Sequence, residues 1–324
     1  MITATIIQRS KCSESGKEIV TFELVYPRMI HAELLTHRMF SRNSASSRAI
    51  PIAKVVEMVR DNPAYPSHWG KNQPGMQARE ELTDWPLAAT KLLWFDAAEM
   101  AANYAEGMAE LGAHKQIANR ITECFQWMKV VLTFTEGDNW FWLRDHTDAD
   151  PTIHELARKM WEALEANTPF VIHPGEWHVP YVNRMRGTSG LMYLTEVYIA
   201  DDVYETQFLT AEEALAVSSS CCAQVSYRTL DMSLSKAQTI YGRLVDSEPV
   251  HASPFEHQAT PMKYATGVSK TLSYINMPPA EWTQAEVEWQ DGVTHLDLND
   301  KFWSGNFCGY IQHRQLIPNN VRKG

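Results

Sequence analysis

Several features are scarce in this chain of 324 residues. No apolar run approaches the roughly 20 residues that a membrane-spanning helix needs. The opening stretch, Met-Ile-Thr-Ala-Thr-Ile-Ile-Gln-Arg, lacks a basic region followed by a long apolar core, so no signal peptide is expected. Cysteine is sparse and unpaired in pattern. The five are Cys12, Cys124, Cys221, Cys222 and Cys308, an odd number with no C-x-x-C. That argues against a disulfide framework and for free thiols in a reducing, cytoplasmic setting. Positive charge is also short. A net charge of −10 argues against a binder of polymeric nucleic acid, but it leaves room for a local cationic pocket. The 44% hydrophobic and 21% charged content is ordinary for a soluble globular protein.

Against this background one stretch is dense in cationic and hydroxyl groups. Thr36–Arg48 holds one His, three Arg, four Ser, one Thr and one Asn in thirteen residues. It follows Pro27–Leu35, which reads as a helix with Ile30, Leu34 and Leu35 on its apolar side. Arg supplies a rigid fork of donors, Ser supplies short hydrogen bonds, and His donates or accepts. The set suits an anion. A solvated loop is the plain alternative for such a composition.

The order of these residues carries more. Read at His37, Arg38, Ser41, Asn43, Ser46 and Arg48, it is H-R-x-x-S-x-N-x-x-S-x-R. This resembles the signature of the flavin-dependent thymidylate synthases, the ThyX family: R-H-R-x-x-S-x-N-E-x-S-x-R-Y. Thr36 stands at the family's first Arg, Ser44 at its Glu, Ser47 at its Gly and Ala49 at its Tyr. The resemblance implies that His37 and Arg38 contact FAD and that Ser46, Ser47 and Arg48 hold a nucleotide phosphate.

Elsewhere in the first half, residues 1–26 read as a hairpin in which Val20, Phe22, Leu24 and Tyr26 share one face. Helices are expected over Pro51–Arg60, Pro86–Leu111 and Ala113–Met128, with a long loop at 61–78. Ala97, Met100, Ala101, Tyr104, Met108 and Leu111 make a helical stripe that reads as core. Val130–Thr135 fits a strand or the start of a buried helix. Asp150 and Pro151 open a further helix that runs to about Ala166. Arg120, Asn139 and Arg144 match the family's helix Arg and its N-x-x-x-L-R segment. The resemblance implies that Arg120 contacts the nucleotide, Asn139 the flavin and Arg144 the pyrimidine ring. Without it, Arg120 is an ordinary surface charge and Arg144 stacks on its aromatic neighbours.

Residues 167–209 read as irregular. His173, Glu176 and His178 fit no helix face, and Pro174-Gly175 implies a turn, so no metal site is expected. Thr210 and Glu213 form a capping box for a helix over Thr210–Ser219, and a second helix is expected over Ser235–Val245. Ala223-Gln224-Val225-Ser226-Tyr227 and Ser253-Pro254-Phe255-Glu256-His257 resemble two blocks that precede the signature in the family. Here they follow it. Phe307–Arg314 resembles a degenerate approach to the same signature. Two accounts fit, a permutation-like ThyX fold or two related halves, 1–185 and 186–324, packed as one unit; the second is favoured because His37-Arg38 and His313-Arg314 each follow a possible strand-and-helix segment. In either, Ser253 and Glu256 are implied flavin contacts.

The implied fold is α+β and ThyX-like, an antiparallel sheet with long helices. The implied cofactor is FAD, with methylenetetrahydrofolate as carbon donor and NADPH as reductant, in a homo-oligomer, a tetramer by resemblance. The expected reaction carries a one-carbon unit to carbon 5 of dUMP. A hydroxymethylase of dCMP or dUMP is the alternative, and a non-catalytic nucleotide- or flavin-binding subunit is the alternative from another class.

Overall fold

A computed structural model describes residues 1–200, 203–225, 230–263 and 289–322; side chains of 197–204 are outside the description. The chain is α+β. It opens with β1 (Thr3–Cys12) and β2 (Glu18–Pro27), the expected hairpin, turned at Gly16 with φ +70°. A 3-10 turn leads into α1 (His31–Leu35), followed by β3 (Ser41–Ser44), α2 (Ile52–Asp61) and the long α3 (Asp84–Glu110). The helix expected over Ala113–Met128 is instead the short α4 (Lys115–Ala118) and a 3-10 helix over Asn119–Phe125. From Trp127 the chain is extended, because β4 (Trp127–Phe134) fills a slot between β2 and β3.

Two helices follow: α5 (Asp138–Arg144) and α6 (Pro151–Glu165). Asp150 caps α6 as expected, its Oδ1 accepting from the backbone N–H groups of Thr152 and Ile153 at 2.9 and 3.2 Å. Next comes β5 (Phe170–Ile172), then β6 (Asn183–Gly187), β7 (Gly190–Ala200) and β8 (Val203–Leu209). These strands correct the irregular reading of 167–209: β6, β7 and β8 form an antiparallel meander. The two helices α7 (Ala211–Ala223), with its capping box, and α8 (Leu234–Val245) match expectation. Short strands close the chain: β9 (Ala259–Pro261), β10 (His295–Leu296), β11 (Phe302–Ser304), β12 (Phe307–Cys308) and β13 (Tyr310–Gln312). The anticipated boundary at 185–186 falls inside β6.

The central sheet has the order β3-β4-β2-β1-β5, antiparallel except for the β1–β5 pair. Strand alternation gives it two unlike faces. On one, Val20, Phe22, Leu24 and Tyr26 stand opposite Phe134, Leu132, Val130 and Met128. They are buried beneath Ile153, Leu156, Ala157 and Met160 of α6. Each such side chain contributes ~1.5–3 kcal/mol by leaving water. The other face is buried but polar. Thr21, Thr133 and Ser41 stand side by side across β2, β4 and β3, all buried. Chain from the second half covers this face: Gln312 Nε2 donates to Ser41 Oγ at 3.1 Å, and Cys222 and Val225 pack on Val131.

The helix α3 departs from expectation in its orientation. Ala98, Ala102 and Ala105 are its buried residues, packed on Val55, Val56 and Val59 of α2 and on Phe125. Met100, Tyr104 and Leu111 from the expected core stripe are exposed, Leu111 at 90%. Both sides of this helix are apolar, so periodicity could not choose between them.

Candidate functional site

Ser46, Ser47 and Arg48 lie on the tight loop that follows β3. Ala49 and Ile50 N–H groups donate to the Ser46 carbonyl at 2.9 and 3.3 Å, and the Arg48 N–H donates to Ser46 Oγ at 3.2 Å. Asn119, fully buried, locks the loop from below by donating to the carbonyls of Ser47 and Ile50 at 2.7 and 3.0 Å. Ser47 Oγ donates to Glu123 Oε1 at 3.0 Å. The same oxygen accepts from Arg28 at 2.9 Å and from Arg120 at 3.2 Å. Lys115 Nζ donates to the Ala49 carbonyl at 3.0 Å. Arg28 and Arg120 thus reach the loop through the shared Glu123 carboxylate, and Lys115 reaches it directly. Burial pulls the Arg28 pKa below its ordinary value, while Glu123 acts to raise it. The Arg48 side chain is exposed and forms no hydrogen bond or ion pair with the described residues.

A cavity of about 300 Å³ opens beside this loop, lined by Arg28, Ala45, Ile50, Val55, Phe125 and Trp127 among others. Its wall is mostly apolar, with Arg28, Asp61, Asn62 and Gln126 as its polar residues.

His37 and Arg144 form a second group, at the opposite end of β3. Arg144 Nε donates to His37 Nε2 at 3.1 Å, and its Nη1 pairs with Glu33 at 3.1 Å. His37 is 9% exposed and meets Trp140 edge-on, with ring centroids 4.8 Å apart. Burial, then the Arg144 charge, pulls its pKa below the ordinary histidine value. His37 is therefore a neutral acceptor for Arg144, and Arg144 is held in place without a ligand. Arg38 and Asn139 are exposed, with no hydrogen-bond partners among the described residues.

The Ser253–His257 block meets the signature in space. Its 3-10 turn, Ser253–Glu256, packs against β3. Thr133 Oγ1 lies 2.9 Å from His257 Nδ1, and Gln312 Nε2 joins the Glu256 carbonyl to Ser41 Oγ. The Glu256 carboxylate is held by Arg314. Ser253 is half-buried, its hydroxyl unbonded among the described residues. Of the Ala223–Tyr227 block, Ser226 and Tyr227 lie outside the described residues. Buried polar atoms here without partners among the described residues include Asn43 Oδ1, His257 Nε2, Gln258 Oε1 and Arg314 Nε. Buried polar atoms are rarely left so. Together with the unengaged Arg38, Asn139 and Ser253, they offer both the donors and the acceptors that a flavin dinucleotide requires. The residues fit that cofactor.

Sequence reasoning missed Arg28, Lys115, Asn119 and Glu123. None lies in a motif, and their link to Ser47 and Ala49 is made only by folding, at separations such as Ser47 to Glu123. Among the described residues no group of three His, Cys, Asp or Glu is arranged for a metal. His173 and His178 instead meet the hydroxyls of Ser13 and Ser10. No helix among them is long and apolar enough to cross a membrane.

No family model and no curated protein matches the chain. Among solved structures it is similar to a UMP/dUMP methylase, PolB, from Streptomyces cacaoi bound with 5-Br dUMP. That likeness has 15% identity and a TM-score of 0.44, covering 51% of this chain and 90% of the other. The same methylase bound with 5-Br UMP gives 14%, 0.43, 51% and 89%. Thymidylate Synthase X from Helicobacter pylori, with FAD and dUMP, gives 15% identity and a TM-score of 0.34, covering 45% and 67%.

Proposed function

We propose that the chain is an FAD-dependent enzyme that transfers a one-carbon unit from methylenetetrahydrofolate to carbon 5 of a pyrimidine deoxynucleotide, converting dUMP to dTMP with NADPH as reductant. The observation that carries this reading is the Ser46–Arg48 loop, reached by Lys115 directly and by Arg28 and Arg120 through Glu123, beside a mostly apolar cavity. Ser46, Ser47, Arg48 and Arg120 anchor the phosphate. By resemblance, Arg144, held by Glu33 and His37 at the other end of β3 from that loop, stabilises negative charge on the ring and so makes carbon 5 nucleophilic; a preorganised donor of this kind is typically worth ~3–4 kcal/mol. His37, Arg38, Asn139, Ser253 and Glu256 hold the flavin, which when bound supplies hydride chemistry.

Thr36 and Ser44, standing where the ThyX signature has Arg and Glu, favour a second reading: a hydroxymethylase of dCMP or dUMP. The proposed setting is the cytoplasm, supported by five free thiols. A homo-oligomer is supported by the apolar face that α3 leaves open at Leu92, Leu93, Met100, Tyr104 and Leu111.

The test is incubation with FAD, methylenetetrahydrofolate and NADPH plus dUMP or dCMP, with the product mass recorded. A methyl gain on dUMP supports the first reading and a hydroxymethyl gain the second. Absence of product with flavin bound contradicts both and leaves a non-catalytic subunit.

A further inference from the structure

The polar face of the central sheet carries a continuous chain of buried hydrogen bonds. Arg184 Nη1 donates to Ser10 Oγ at 2.8 Å. Ser10 Oγ lies 2.7 Å from His178 Nδ1. His178 Nε2 lies 2.9 Å from Thr21 Oγ1, which lies 2.7 Å from Thr133 Oγ1. Thr133 Oγ1 lies 2.9 Å from His257 Nδ1. Ser10, Thr21, Thr133, His178 and His257 are all fully buried. Beyond them, His257 Nε2 has no partner among the described residues.

The direction of this chain follows from its first link. A guanidinium only donates. Ser10 accepts from Arg184, so its single proton goes to His178 Nδ1. The alternative, in which Ser10 accepts from both sides, leaves its own buried O–H without an acceptor. His178 then carries its proton on Nε2 and donates to Thr21. Thr21 passes its proton to Thr133, and Thr133 passes its own to His257 Nδ1. Each hydroxyl gives once and takes once, and both rings are neutral. Burial holds both imidazole pKa values far down, His257 to about 3, in agreement with neutral rings. Arg184 is suited to the anchoring role. Burial lowers its pKa only to about 10, so it stays charged, and it lies over the Phe170 ring at 4.9 Å with no ion-pair partner among the described residues.

We propose that Arg184 is a positioning residue which, through Ser10, His178, Thr21 and Thr133, fixes His257 as its Nε2–H tautomer and so presents a buried donor to an acceptor atom of a bound ligand. Only the last link, the ligand, rests on the reading given under Proposed function. The tautomer is a property of the protein alone.

Nitrogen NMR of the full chain with isotope-labelled histidine rings tests this, with His178→Gln and His257→Gln variants giving the assignments. In ligand-free protein at neutral pH, His178 and His257 are expected as Nε2–H tautomers. Arg184→Lys, which keeps a donor at Ser10, retains them. Arg184→Met frees Ser10 to turn, and the two rings become tautomer mixtures. Nδ1–H at either ring in the wild type overturns the chain even if Arg184→Met fails to fold. Unmixed tautomers in a folded Arg184→Met overturn the role of Arg184. On adding FAD and then dUMP, the His257 Nε2 signal is expected to move with one of them. A signal unmoved with both bound overturns the presentation to a ligand.

Discussion

One oxygen of Glu123 takes hydrogen bonds from Arg28, Ser47 and Arg120, and so ties the loop after β3 to two cations. Hydrogen bonds to charged groups are worth ~1.5–3 kcal/mol each, and the largely exposed Arg120 contributes least. Glu123→Ala is expected to lower unfolding free energy by ~2–3 kcal/mol in chaotrope titrations; an unchanged midpoint and slope would contradict the tie. The buried histidines make a second prediction. Burial lowers His257 to about 3 and His313 to about 4, against 6.5 in the unfolded chain. The unfolded state therefore binds more protons below pH 6.5, and stability is full above that value and lost as pH falls toward 4. At about pH 5 the loss is ~2 kcal/mol for each ring. Equal unfolding free energies at about pH 7.5 and pH 5 would contradict neutral burial.

At the scale of elements, what was legible in the sequence was local. Val20, Phe22, Leu24 and Tyr26 alternate and share a buried face because strand geometry allows no other outcome. Asp150 and the Thr210–Glu213 box cap their helices because capping involves only a few residues. Asp150→Ala and Thr210→Ala are each expected to cost ~1 kcal/mol, read from thermal unfolding. No loss in either variant would show that its helix needs no cap. The meander β6–β8 was hidden because Asn183–Gly187 is short and rich in Arg, and pairing with β7 alone makes it a strand. Val130–Thr135 was ambiguous for a related reason: an apolar run takes its conformation from its neighbours. Small Ala98, Ala102 and Ala105 let α3 approach α2 closely, which turns the larger Met100, Tyr104 and Leu111 outward.

For the whole molecule, that outward face leads to a fourth prediction. An exposed apolar stripe on a 27-residue helix is expected to be covered by a second copy of the chain. Sedimentation should show association that Leu93→Glu with Leu111→Glu reduces to monomer; a monomeric wild type would contradict it. The candidate site was half legible for a similar reason. Its motif residues stand in the sequence, but the juxtaposition of β3 with Ser253–Glu256, and of Ser47 with Glu123 and Arg28, exists only in the fold.

The central claim is that the loop after β3 grips a mononucleotide through its phosphate. Calorimetric titration of dUMP into flavin-loaded protein, wild type against Arg48→Ala, addresses it most directly. Loss of a charged hydrogen bond predicts binding weaker by ~1.5–3 kcal/mol, roughly ten- to more than hundred-fold. Equal affinity in the two proteins, or no binding of dUMP or dCMP by the wild type, would contradict the account.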